Sequence, residues 1–169
     1  MKKLIVFAIA ILGFTTVSLG QLNNTATATA SGTIVSPLTI ENKGDMAFGK
    51  VYANTSAVDL ILSTSGSRSG TAGYDAASTA AQAKFDVIGT VSTAYTITLP
   101  IGAVSTTTMP GGATAMTVDT WTSNPAVAAG NTGATSTQRI NIGATLHLNA
   151  NQTPGAYVTA PFIVTVNYN

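Results

Sequence analysis

The chain contains no cysteine and only one histidine. Without cysteine there are no disulfides, so a protein in an oxidising compartment must be stabilised by packing and strand pairing. The scarcity of both ligand types argues against a zinc site, because such sites are built mainly from cysteine and histidine. The one histidine, His147, falls on the polar phase of an alternating pattern and is predicted to be an exposed strand residue.

Charged residues are also few, at 8% of the chain. Seven basic and six acidic side chains give a net charge of +1; without Lys2 and Lys3, five and six give −1. A near-neutral chain lacks the basic surface that nucleic acids require. It also lacks the charge of an electrostatic membrane binder. We therefore expect neither nucleic acid nor a lipid surface as a partner.

No arrangement of residues indicates catalysis. The acidic residues are scattered, with neither calcium-loop spacing nor a distinguishable glycosidase pair. Glycine-rich stretches lack the strand-then-helix context of a phosphate loop. We predict a protein that is not an enzyme and has no cofactor or metal ion. The acidic residues are Glu41, Asp45, Asp59, Asp75, Asp86 and Asp119.

Only one long apolar run is present, and it begins near the N-terminus. Lys2 and Lys3 precede apolar residues 4–14, and Ser18 and Gly20 are small residues at the positions that a signal peptidase reads. Residues 1–20 are thus predicted to be a signal peptide, because the apolar run is too short for a membrane span. The mature chain is predicted to lack a membrane segment and to cross the inner membrane into the periplasm. From there it would reach the cell surface or the medium.

The mature chain has the pattern of an all-β protein. Short alternating runs of β-branched residues lie between turn residues, and no segment has a clear helical stripe. We predict strands at residues 38–41, 46–51, 58–63, 85–90, 95–99, 116–121, 139–148 and 157–168. This number of short strands favours an immunoglobulin-like two-sheet antiparallel sandwich over residues 36–169. A single closed barrel is the competing architecture.

The two ends of the mature chain are complementary. Near the C-terminus, alternate side chains form one apolar face of an edge strand, and such an edge invites pairing with another chain. These predicted acceptor-edge residues are Phe162, Val164, Val166 and Tyr168. The N-terminal extension, residues 21–35, alternates with small side chains and is a candidate donor strand. Its predicted donor residues are Ala26, Ala28, Ala30 and Ile34.

These ends predict an incomplete sandwich that is completed by an N-terminal strand. When the strand comes from a neighbouring copy, the contact is head-to-tail and generates a filament. The alternative is that the strand pairs within its own chain, as the first strand of an ordinary sandwich. The chain passes directly from the extension into Pro37 and Leu38, which leaves little slack for folding back.

Aromatic side chains suggest a second kind of function. Tyr74, Tyr95 and Trp121 could form a sugar-stacking face, which would make the protein a monomeric binding module for glycans or extracellular polymer. The structural alternative is that these rings anchor the core or lie at its rim.

Several short motifs resemble a bacterial secreted family known as domain of unknown function 4402. The resemblance covers nearly the whole mature chain, and the family name implies no activity. The motifs are the alternating run at residues 25–30, the segments at 34–40, 46–51 and 95–100, and the ending from 149–152 to 166–168.

The arrangement is also similar to chaperone–usher pilins and spore-coat-U-type secreted subunits. In pilins, a neighbour's N-terminal extension completes an immunoglobulin-like sandwich, and a periplasmic chaperone protects the C-terminal strand beforehand. Tyr168 and Gly155 match the next-to-last tyrosine and the glycine of that strand. The resemblance implies a fimbrial subunit of a Gram-negative bacterium. Its partners would be copies of itself, related subunits and a chaperone.

Overall fold

The computed structural model describes residues 24–169. The chain separates into two units, Met1–Thr33 and Ile34–Asn169. In the first unit, residues 24–33 belong to no helix or strand, and every one of them is exposed. The predicted signal peptide lies outside the described residues.

The second unit contains strands and no helix. Its strands are β1 (Thr39–Gly44), β2 (Val58–Leu62), β3 (Arg68–Gly70), β4 (Ala83–Ile88), β5 (Ala94–Thr98), β6 (Val104–Thr108), β7 (Thr117–Asn124), β8 (Gly130–Asn131), β9 (Thr137–Leu148), β10 (Val158–Thr159) and β11 (Thr165–Tyr168).

β9 is the central strand of the larger sheet. It pairs with β4 and then β2 along one edge, and with β7 along the other. β1 lies beyond β4, β3 lies beyond β2, and β6 and β10 lie beyond β7. The smaller sheet has the order β11-β5-β8. All of these pairings are antiparallel.

Alternation of side chains along the strands sets the two faces of each sheet. In β2, Val58, Leu60 and Leu62 are buried and the residues between them are exposed. In β5, Tyr95 and Ile97 are buried in the same way. Successive side chains of a strand point to opposite faces, so this pattern places one apolar face of each sheet inside. The predicted all-β, two-sheet antiparallel sandwich is confirmed.

The buried side chains form two clusters. The first contains Val58, Leu60, Ala72, Met116, Val118, Ala144, Leu146 and Leu148. The second contains Ala83, Val87, Tyr95, Ile97, Ile140, Ile142 and Val164. Met46 and Trp121 are partly buried and pack against both clusters, so they connect the two halves of the core.

Two predicted strands are less regular than the sequence indicates. The segment at 157–168 is divided into β10 and β11, with Pro161 between them, because proline has no N–H to donate to a sheet ladder. The segment at 46–51 makes only isolated bridges, at Ala47 and Val51. Gly49 interrupts it with a φ of 76°, which is outside the extended region.

Candidate assembly groove

An apolar groove of about 890 Å³ opens on the inner face of the larger sheet. Its floor is formed by side chains of β7, β9 and the residue before β7, namely Met116, Val118, Leu146 and Leu148. We call residues 45–53 the N-terminal wall and residues 152–162 the C-terminal wall. The two walls come from opposite ends of the domain and line the groove together with the floor.

The N-terminal wall is attached mainly through its backbone. Ala47 exchanges two hydrogen bonds with Ala81, both of 2.8 Å between N and O. Val51 forms an isolated bridge with Tyr74. On the inner side, Phe48 and Val51 are half-buried against the first core cluster. The wall therefore presents apolar side chains to the groove.

The C-terminal wall begins at a buried amide. Gln152 is 6% exposed, and its Nε2 donates to the Thr114 carbonyl at 2.6 Å and to the Tyr157 hydroxyl at 2.8 Å. Further along, Gly155 lies against Pro110 so closely that an added Cβ would overlap the proline ring. Phe162 ends the wall, with its ring centroid 4.7 Å from that of Trp121.

The chain segments that form the walls are joined at one end. The Tyr168 hydroxyl accepts from the Thr90 N–H at 2.7 Å and donates to the Ser36 carbonyl at 2.9 Å. This contact ties the start of the domain to the end of β11. From it, β1 leads to the N-terminal wall and β11 leads back to the C-terminal wall, and Ser36 follows the extension directly in the chain.

β11 is an edge strand among the described residues. It pairs with β5 from Thr165 to Tyr168 and has no strand partner on its other side within residues 24–169. Phe162, Val166 and Tyr168 are half-buried and Val164 is buried. Of these predicted acceptor-edge residues, Phe162 lines the groove, while the others belong to or pack against the second core cluster.

The predicted donor residues are all accessible. Ala26, Ala28 and Ala30 are exposed, and Ile34 is 99% exposed. No strand is assigned between residues 24 and 38. Their role in donation therefore stays a prediction.

The predicted ligand face does not exist as one surface. Tyr95 is 0% exposed, so the prediction is wrong for this residue: it alternates in phase with Ile97 and lies in the core. Tyr74 is half-buried, and the Arg68 guanidinium lies over its ring. The guanidinium carbon is 4.3 Å from the centroid of the Tyr74 ring. Trp121 lines the groove and donates from Nε1 to the Gly102 carbonyl at 3.1 Å.

A cluster that the sequence did not indicate lies on the opposite face of the larger sheet. His147 is half-buried between two carboxylates: Nδ1 is 2.6 Å from Asp59 Oδ1, and Nε2 is 2.7 Å from Asp119 Oδ1. It is therefore paired rather than free on the surface. Both neighbours of His147 in β9, Leu146 and Leu148, line the groove floor. The cluster thus joins β2, β9 and β7 directly behind that floor.

This arrangement favours the imidazolium form, which can donate from both ring nitrogens. Hydrogen bonds to Asp119 and then Asp59 raise the pKa of His147, with burial acting in the opposite direction. Hydrogen bonds from His147 and Thr120 lower the pKa of Asp119. No group of three or more histidine, cysteine, aspartate or glutamate side chains suited to a metal ion occurs within the described part of the chain.

We predict a pH-dependent contribution of this cluster to stability. Because folding raises the pKa of His147, the contribution is complete below the unfolded value of about 6.5 and is lost as the pH rises through the folded value. Because folding lowers the pKa of Asp119, the contribution is also lost in acid, below about pH 4. The melting temperature of His147→Gln should therefore fall below that of the parent by about 2–4 °C near pH 5, since these side chains are partly solvent-screened.

Melting scans between pH 4 and pH 9 test this expectation. The difference should shrink by pH 9. Arg139→Gln is the matched control. It breaks an ion pair with Asp86 on the same sheet face, and neither side chain of this pair titrates between pH 5 and pH 9. A His147→Gln difference that is constant over the whole range would contradict the assigned protonation.

A family match covers most of the chain. Residues 38–168 match a domain of unknown function (DUF4402). The chain belongs to this family. The DUF4402 region contains every strand described above and both walls of the groove, and the extension at 21–35 lies before it. Comparison with curated proteins and with solved structures finds no match. Within residues 24–169, no helix is long and apolar enough to cross a membrane.

Proposed function

We propose that this DUF4402 protein is a non-enzymatic subunit of a bacterial surface fibre and assembles by β-strand donation. The observation that carries the proposal is the apolar groove between the two walls, one of which precedes the edge strand β11 directly in the chain. An added strand needs an unpaired edge for main-chain hydrogen bonds and a surface for alternate side chains. β11 offers the first and the groove offers the second.

The extension has suitable chemistry for this groove. Its even-numbered positions from 26 to 34 carry alanine, glycine and isoleucine, and its odd-numbered positions from 25 to 33 carry threonine or serine. A strand therefore offers one apolar and one polar face. The floor and walls already carry large side chains such as Leu148, Phe48 and Phe162. Small donor side chains let the incoming backbone approach them closely.

The short connection between the extension and the domain favours donation to another copy. It contains Ser36, where the carbonyl is bound by Tyr168. Folding back into the groove of the same chain needs slack in the connection, and only residues 36–38 lie between the extension and β1. Ser36 precedes Pro37, and a residue before proline favours an extended conformation. Donation to a neighbour needs no such slack, and repeated head-to-tail contacts build a filament.

Strand donation implies that the subunit is protected before assembly and that it is exported to the cell surface. An apolar groove and a free strand edge are aggregation hazards before assembly. A periplasmic chaperone that covers them would remove that hazard, which makes such a chaperone a partner alongside further copies or related subunits. Export through the predicted signal peptide, followed by assembly at the cell surface, gives the corresponding route.

Shearing expressing cells tests the proposed function. The surface fraction is run on a denaturing gel, both unheated and boiled. The proposal predicts a ladder at multiples of the mature mass that collapses on boiling, because exchanged strands are kinetically trapped. A single monomer band in both lanes would contradict it.

A binding module for glycans or extracellular polymer is the second candidate. The groove volume of about 890 Å³ lies within the range of ligand pockets, and the Trp121 and Phe162 rings line it. Loss of glycan retention by Trp121→Ala at unchanged melting temperature would support this function. Absence of binding across a broad glycan screen would contradict it.

A further inference from the structure

The guanidinium group of Arg68 connects the N-terminal wall to neighbouring segments through hydrogen bonds. Arg68, the first residue of β3, donates from Nη1 to the Phe48 carbonyl at 3.1 Å and to Ser78 Oγ at 2.9 Å. From Nη2 it donates to the carbonyls of Asp75 at 3.0 Å and Ser78 at 3.1 Å. These four bonds connect β3, the wall and the loop at residues 73–81.

The surroundings of Arg68 reinforce this connection. Its guanidinium lies over the Tyr74 ring, and the Tyr74 hydroxyl donates to the Arg68 carbonyl at 3.2 Å. Ser78 Oγ also accepts from the Lys50 N–H at 2.9 Å, so one hydroxyl binds both Arg68 and the wall. A Cβ on Gly49 would come within 2.6 Å of Arg68 Nη1 and 2.7 Å of Ser78 Oγ. The wall backbone is packed directly onto the guanidinium.

We propose that Arg68 is a positioning residue that sets the place of the N-terminal wall and hence the width of the groove. The consequence for assembly rests on the proposed function; the effect on the wall does not. Within the wall, only the Phe48 carbonyl accepts a direct hydrogen bond from Arg68. The Phe48 side chain lines the groove, so a shift of its carbonyl moves a groove-lining ring.

Arginine is suited to this role and lysine is not. The planar guanidinium directs donors to several acceptors at once, whereas an ammonium group is a compact point charge. Lysine at position 68 would keep the charge while losing part of the four-bond geometry. Arg68→Lys therefore tests the fork geometry rather than the charge, and Ser78→Ala is a milder change that removes one shared acceptor.

Hydrogen–deuterium exchange on the purified full chain measures the wall directly. Amides of residues 46–52 should exchange about tenfold faster in Arg68→Lys and several-fold faster in Ser78→Ala, since wall opening becomes easier when these bonds are lost. Arg139→Lys is the matched control: it alters a surface ion pair with Asp86, away from the groove. Its wall amides should exchange within about twofold of the parent.

Fibre yield from cells expressing each variant gives the second measurement. Lower yield for Arg68→Lys than for Arg139→Lys, together with faster wall exchange, supports the proposal. Unchanged wall exchange in both Arg68→Lys and Ser78→Ala would overturn it. Faster exchange with the same yield as Arg139→Lys would overturn the link from wall to assembly. A parent chain that forms no fibres would contradict the proposed function, while exchange would still decide the role of Arg68.

Discussion

Replacing Ala28 by aspartate is expected to abolish fibre assembly while leaving the melting temperature of the domain unchanged. Ala28 is exposed and lies outside the sandwich strands. In the proposed complex its methyl group faces the apolar floor of a neighbour's groove. A carboxylate there would be buried without a partner, which costs several kcal/mol, so strand affinity should fall at least about a hundredfold.

The neighbouring position supplies a matched control. Thr29→Asp introduces the same charge one residue away, on the opposite face of the extended segment. It should leave most of the ladder on the unheated gel in place. Normal fibre yield from Ala28→Asp, or equal loss from both variants, would count against insertion of an apolar face.

Replacing Tyr95 by alanine should cause a large loss in the free energy of unfolding of the domain. Tyr95 is the largest of the fully buried side chains, and its hydroxyl donates to Gln138 Oε1 at 2.6 Å. Burial raises its pKa to about 12. Removal of a buried aromatic ring leaves a cavity and costs about 3–5 kcal/mol. The midpoint of urea unfolding should shift accordingly.

Two comparisons separate the parts of that effect. Tyr95→Phe keeps the ring and should cost about 1 kcal/mol, the usual contribution of one hydrogen bond. Tyr52→Ala removes an exposed tyrosine and should change the free energy of unfolding by less than about 0.5 kcal/mol. A loss of less than about 1 kcal/mol for Tyr95→Ala would contradict its place in the core.

Alternation predicted the regular strands because burial on a sheet follows a period of two. The run from Tyr95 to Thr98 contains enough information to place Tyr95 in the core, since it shares its phase with Ile97. Trp121 is different. A bulge between Asp119 and Thr122, with a positive φ at Thr120, changes the phase of β7 and directs the indole inward. No alternation rule predicts that shift.

The groove and the charged cluster depend on contacts between distant parts of the chain. His147 is 88 residues from Asp59 and 28 residues from Asp119, and only strand register brings them together. Arg68 likewise reaches Phe48 across 20 residues. The sequence indicated the complementary ends of the chain, but the walls of the groove are irregular segments whose position is set by tertiary bonds.

Disulfide trapping between copies is the most direct test of strand donation. Because the chain contains no cysteine, no native thiol has to be replaced first. One copy carries Ala160→Cys in the C-terminal wall, and the other carries a single cysteine at a position from 26 to 30. A disulfide needs Cβ atoms about 3.5–4.5 Å apart. The account predicts cross-linked pairs of copies from one or more even positions and from neither odd position. Equal cross-linking at even and odd positions, or cross-linking only within a chain that carries both cysteines, would contradict it.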